Sequence, residues 1–197
     1  MNDMLKQIPM PLPLGGVACL NFINTIEYRG TETPIEFLHS YSHVIVAAHD
    51  YQMISEAEFL ALADQQPTDQ LFHAALDLRE ALYQIFMAHL EGREPDLTQL
   101  NHWLSAAGEQ RIISAAGEGF AWRWRAPVLE IPLYLVALSA AELLTGAGLA
   151  KVRQCPNCRW LFLDTSRNGL RRWCSMDHCG SQVKSRRQYA RKQQAKR

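Results

Sequence analysis

Four cysteines are spaced Cys155-x2-Cys158-x15-Cys174-x4-Cys179 near the end of the chain. Two close pairs separated by fifteen to twenty residues suit a tetrahedral zinc site. Zn²⁺ takes four soft ligands at about 2.3 Å, and each tight pair supplies two from one turn. Pro156 sets the turn of the first pair. Four protein sulfurs leave no open coordination position, so the expected cofactor is one structural Zn²⁺ without a catalytic role. His178 is a rival ligand to Cys179, and the bland alternative is four cysteines without metal. Around the cysteines lie Arg159, Arg167, Arg171, Arg172, Lys184, Arg186, Arg187 and Arg191. Four thiolates on Zn²⁺ carry a charge of about −2, so the segment stays strongly positive and suits phosphate neutralisation with counterion release.

The elements that must position these residues are partly legible. Asn168-Gly169 reads as a two-residue hairpin turn with aromatic and aliphatic flanks. Cys174-Ser-Met-Asp-His-Cys179 reads as the entry to a helix running through Lys184, Arg187 and Arg191. A knuckle, a hairpin and ligands at a helix start make a treble-clef-like finger. So small a module lacks the apolar core to fold alone. Structural zinc supplies roughly 10–16 kcal/mol in comparable peptides.

The formal charge of zero hides an asymmetry. Residues 1–150 hold 7 basic and 18 acidic side chains, and residues 151–197 hold 13 and 2, giving −11 and +11. A basic end implies an anionic partner, or docking on the acidic part of the same chain. Hydrophobic content of 48% supports a packed core.

The first 150 residues read as mostly helical. Thr33-Pro34-Ile35-Glu36 resembles a capping box opening a helix to about Ala48. Ser55 to Glu58 resembles another, with a helix to about Ala63. A longer helix starts after Pro67-Thr68-Asp69, with Leu71, Ala75, Leu78, Leu82, Ile85, Phe86 and Leu90 at helical spacing, and ends at Gly92. Asp96 with Gln99 opens a helix to about Ala106. RIIS, AAGEG and FAWRWRA then read as a hairpin, with Trp122 and Trp124 on a buried face and Arg123 and Arg125 on a solvated one; base stacking by the tryptophans is the alternative. A helix from about Glu130 to Leu144 precedes stop signals at Gly146 and Gly148. The expected boundary gives a helical domain at 1–148 and a finger with a basic C-terminal helix at 149–197. The fold class is mostly α with a small β-hairpin.

Other chemistry is thin. Cys19 sits alone in an apolar stretch and reads as a plain buried thiol. His39 and His43 are four apart, but no third ligand accompanies them. No nucleophile motif, phosphate loop or paired carboxylates argue for an enzyme. The start, MNDMLKQIPMPLPLGG, lacks a secretory pattern. The longest apolar stretch, residues 128–144, is short for a membrane span and carries Glu130, Pro132 and Glu142. A cytoplasmic protein without membrane contact is expected.

RQCPNCRWLFLDTSRNGLRRWCSMDHCGSQVK resembles the CGNR-type zinc finger. ACLNFINTIEYRG, ALDLREALYQIF and IPLYLVALSAAELL are similar to segments of the ABATE domain that precedes it in proposed stress-induced transcription regulators. The resemblance implies zinc ligation by Cys155, Cys158, Cys174 and Cys179, duplex DNA as the partner, and a role in transcription and stress response. The family's Cys-Gly-Asn-Arg is here Cys179-Gly180-Ser181-Gln182, so roles of that Asn and Arg have no counterpart. The N-terminal domain is expected to sense a small molecule, recruit a protein or form a homodimer. Alternatives are RNA binding, with Trp160, Phe162, Trp173 or Tyr189 stacking on bases, and an adaptor whose finger docks on its own acidic domain.

Overall fold

The computed structural model describes residue 5 and residues 7–194. The very start of the chain and residues 195–197 lie outside the described residues, as does part of the N-terminal stretch read for a signal.

In order, the elements are α1 (Ala18–Ile23), β1 (Ile26–Glu27), β2 (Ile35–Glu36), α2 (Tyr41–Asp50), α3 (Glu56–Ala63), α4 (Asp69–Leu90) and α5 (Thr98–Gln110). There follow β3 (Arg111–Ala116), β4 (Gly119–Trp124), α6 (Ile131–Thr145), β5 (Val152–Gln154), β6 (Leu161–Leu163) and α7 (Ser181–Gln194). A 3₁₀ turn, Leu149–Lys151, precedes β5, and a π-helical turn, Met176–Gly180, leads into α7. The three sheets are two-stranded antiparallel ribbons, β1–β2, β3–β4 and β5–β6. No helix among the described residues is long and apolar enough to cross a membrane.

Helix starts follow cap chemistry where the cap is free to act. Ser55 and Glu58 form a reciprocal capping box on α3. Thr68 accepts from the Leu71 N–H at the start of α4. Gly92, at φ +67°, supplies the left-handed residue just past its end. Asp96 accepts from the Thr98 N–H, and α5 runs four residues beyond the expected end at Ala106.

The helix expected from Thr33 is a correction. Ile35–Glu36 pairs with Ile26–Glu27 instead, and the helix begins at Tyr41. Glu36 makes no reciprocal box. Its carboxylate is taken by the buried Arg79 guanidinium at 2.6 Å through both nitrogens and by the N–H groups of Phe37 and Leu38. A buried charge has first claim on a nearby carboxylate, because leaving it unpaired is costly. His39 therefore precedes the helix and His43 lies on it, with its Nδ1 2.9 Å from Ser40 Oγ.

The central core joins residues of α1 to α6, including Phe22, Tyr41, Phe59, Leu78, Phe86 and Val136. Val152 and Leu161, from β5 and β6, are fully buried in the same cluster. The expected β3–β4 hairpin is present and in register, Arg111 opposite Trp124 and Ile113 opposite Trp122. Its tryptophan face is not buried as expected. Only Trp124 packs on the core, against Tyr134 at 5.6 Å, while Trp122 is 57% exposed.

Candidate metal centre and nucleic-acid interface

The first cysteine pair sits at the tip of the β5–β6 ribbon. Val152 pairs with Leu163, Arg153 with Phe162 and Gln154 with Leu161. The tip is closed by the Cys155 N–H donating to Trp160 O and the Arg159 N–H to Cys155 O. Arg159 takes φ +64° to complete the knuckle. The strands thus pair across Cys-Pro-Asn-Cys, and not across Asn168-Gly169 as the sequence suggested. Asn168-Gly169 is a turn with no strand after it. The cause is Asp164, whose carboxylate accepts from Ser166 N, Ser166 Oγ and Arg171 N and so holds the chain in a loop. Hydrogen bonds from Ser166 keep its carboxyl below the usual range.

The loop returns Trp173 and Cys174 beneath the knuckle, and the π-helical turn delivers Cys179. All four cysteines are fully buried and free of disulfides. Their sulfurs lie within 4.8 Å of one another. Cys158–Cys174 and Cys174–Cys179 are both 3.5 Å apart. Sulfurs about 2.3 Å from a tetrahedral ion lie about 3.8 Å apart, so the cluster has the size of a Cys₄ zinc cage. Hydrogen bonding with Cys155, together with burial, pushes the Cys158 and Cys174 thiols well above the ordinary range. A dication inverts that balance and holds all four as thiolates. The residues therefore fit one structural zinc. Among the described residues the other cluster with metal-ligand types is Glu27, His178 and Cys179.

His178 does not replace Cys179 in the cage. Its Nε2 is 2.9 Å from the buried Glu27 carboxylate, and its ring stacks on Trp160 at 5.4 Å and 9°. This is one stitch of a seam that sequence reasoning missed. The Trp160 Nε1–H donates to Ile26 O, the Tyr28 N–H to Cys158 O and the Leu163 N–H to Gly15 O. Asn24 donates to Leu161 O at 2.8 Å and accepts from Leu161 N at 2.9 Å. Gln154 Nε2 donates to the Tyr83 hydroxyl. No local pattern in the sequence signals these pairings, which join residues 71 or more positions apart.

A family model, "ABATE: Putative stress-induced transcription regulator", matches residues 16–147. The chain belongs to the ABATE family. A second model, the CGNR zinc finger, matches residues 151–192, the segment that builds the cage. A search of curated proteins gives no match. In this ABATE protein Gln182 stands in the finger's variant Cys-Gly-Ser-Gln. Its Oε1 lies 3.5 Å from both the Tyr28 hydroxyl and Asn157 Nδ2. Asn157 also donates to Cys179 Sγ at 3.4 Å and accepts from Arg186 at 3.3 Å.

The basic residues divide into engaged and free. Arg171 is half-buried, lies over the Phe162 ring at 4.7 Å and donates to Trp173 O. Arg186 is tied to Asn157. Arg172 is exposed and its guanidinium lies over Trp173. Arg159, Arg167, Lys184, Arg187 and Arg191 are exposed. Among the described residues none of these five pairs with a carboxylate. Ser181, Lys184, Ser185, Arg187, Gln188 and Arg191 line one side of α7. The helix has no buried residue. Cys19, by contrast, is a plain buried thiol, pushed up to about 12 by burial.

Proposed function

We propose that the protein is a cytoplasmic, non-catalytic transcription regulator whose zinc-held finger binds duplex DNA through α7. The observation that carries this reading is a helix exposed from Lys184 onward and without a single acidic residue, rooted in the metal cage through Cys179. Lys184, Arg187 and Arg191 follow at three- and four-residue steps and share one side. An α-helix fits the major groove of B-DNA, where Arg, Lys and Gln side chains reach base edges. Exposed Arg167 and Arg172 flank the same finger and serve the phosphates.

Duplex DNA is favoured over RNA because, of the four candidate stacking residues, Trp160 and Phe162 are buried and Trp173 is half-buried under Arg172, which leaves Tyr189 alone exposed. Docking of the finger on its own N-terminal part does occur, but through strands and the knuckle. Among the described residues it leaves the basic face of α7 without a carboxylate partner, so it does not compete with a polyanion. The ABATE region is proposed to sense a small molecule or partner. A mostly apolar cavity of about 300 Å³, lined by Val17, Ser139, Glu142, Leu143 and Leu163 beside the finger, supports the former.

The test is fluorescence anisotropy of the zinc-loaded protein against duplex DNA and single-stranded RNA at several salt concentrations. Duplex should bind more tightly, and Lys184→Ala, Arg187→Ala and Arg191→Ala should each flatten the salt slope by about 0.9. Arg171→Ala should leave the slope unchanged. Absence of binding at low salt would refute the proposal.

A further inference from the structure

The β3–β4 hairpin has no part in the metal centre. Strand β4 leads into α6, and the finger follows the other end of that helix. Fifteen residues of helix separate the two by about 22 Å. The hairpin carries an apolar face whose outer half no described residue covers. Ile113, Phe120 and Trp122 are 61%, 81% and 57% exposed. The cross-strand pairs Ile113–Trp122 and Ala115–Phe120 put all three on the same face as Arg111 and Trp124. Three such side chains present on the order of 400 Å² of apolar surface, the size of patch that marks an interaction site.

The base of the same hairpin holds a recess. A cleft of about 200 Å³ is lined by Met53, Glu58, Arg111, Trp122, Trp124 and Leu135. A cavity of about 150 Å³ is enough for a phenyl-sized guest. The hairpin thus has a knob at its tip, Phe120, and a hole at its base, about 13 Å apart along the strands. Charge follows the same polarity. Glu118 lies in the tip turn, and Arg111 lies at the base on the apolar face, with Arg123 and Arg125 on the opposite face. The Arg111 guanidinium is held in place 4.6 Å from the Trp122 ring centre.

Knob with hole and acid with base on one element describe a surface complementary to itself, which a two-fold contact between identical chains requires. We infer that the occupant of this face is the hairpin of a second copy, packed antiparallel so that each Phe120 enters the other's basal cleft. Each Glu118 then meets the other copy's Arg111, the basal arginine on the same face. The two fingers stand at the far ends of their α6 helices and stay free. The inference is independent of what the fingers bind.

Sedimentation equilibrium of the zinc-loaded full chain, without nucleic acid, tests it. The apparent mass should rise from 22.4 kDa toward twice that value between roughly 1 and 100 μM. Phe120→Asp should weaken association about thirtyfold or more, as loss of an aromatic anchor does, with an unchanged melting temperature at concentrations where both proteins are monomeric, because the side chain is exposed. Glu118→Arg and Arg111→Glu should each weaken it, and an equimolar mixture of the two should associate more tightly than either alone. A monomer throughout would overturn the inference and leave the face to a different protein. So would a dimer indifferent to Phe120→Asp, or a mixture no tighter than its components.

Discussion

Zinc removal should destabilise the helices before the finger as well as the finger itself. Val152, Trp160 and Leu161 are buried to 3% exposure or less, Val152 and Leu161 within the core formed by α1 to α6. Burying a large apolar side chain contributes about 1.5–3 kcal/mol, so the three contribute roughly 5–9 kcal/mol. This is an upper range, because an unfolded chain already hides part of that surface. A protein of this size has only about 5–15 kcal/mol of stability in total. Without the cage, only the two backbone hydrogen bonds of the knuckle close the β5–β6 tip, too few to hold it, and these residues lose their burial. A loss of even 5 kcal/mol lowers the melting temperature by about 10–20 °C. The assay is thermal unfolding of zinc-loaded, chelator-treated and Cys174→Ser protein, followed by helical circular dichroism. An unchanged helical transition in the metal-free protein would refute the reasoning, since the seam would then contribute nothing to the helices.

By linkage, the seam should in turn support the metal. Asn24→Ala orphans the N–H and C=O of Leu161, at about 1–3 kcal/mol for each buried group. Zinc affinity in competition with a chromophoric chelator should fall at least about fivefold, and an unaltered affinity would separate the two. Glu36 gives a pH prediction. Burial opposes its charge, but hydrogen bonds and the charge of Arg79 prevail and hold its carboxyl below the usual range. A depressed folded pKa means that its stabilisation is present above the unfolded value and is lost as pH falls through the folded one. Glu36→Gln should cost about 3 kcal/mol at neutral pH, the low end for a buried pair because Thr25 and Glu80 still face Arg79. It should also flatten the acid limb of stability against pH, as measured by urea unfolding.

The parts legible in the sequence are those set by neighbours in the chain. The caps at Ser55 and Thr68, the stop at Gly92 and the alternation of β3 and β4 depend on residues within a few positions, and so does the pairing of cysteines within each close couple. The failures occur where a distant charge or hydrogen bond overrules a local pattern. Thr33-Pro34-Ile35-Glu36 has the letters of a helix start, yet Arg79, more than forty residues later, takes the glutamate. Asn168-Gly169 has the letters of a hairpin, yet Asp164 gathers its own loop and β6 pairs backward with β5. Trp160 and Phe162 looked like candidate stacking residues because exposure is not written in residue type. The segment from Asn24 to Tyr28 gave no hint that its backbone and side chains would hold the finger.

The exposed helix raises a question of its own stability, because α7 gains nothing from burial beyond the half-buried Gln182 and Val183 of its first turn. Fourteen residues form a marginal helix without tertiary support. Lys184 and Arg187 are three apart, Arg187 and Arg191 four apart, and like charges at these spacings destabilise a helix by a few tenths of a kcal/mol each. Arg191 and Lys192 in the last turn recover part of this against the helix dipole. The inner end is fixed by the cage, Asn157 and Gln182, so fraying must proceed from the outer end. Phosphates along Lys184, Arg187 and Arg191 remove the repulsion without requiring any new packing. Helical circular dichroism should therefore rise when inorganic polyphosphate is added to the zinc-loaded protein, and the rise should vanish in the Arg187→Ala, Arg191→Ala double variant. A rise that persists in that variant would place the polyanion elsewhere, away from α7.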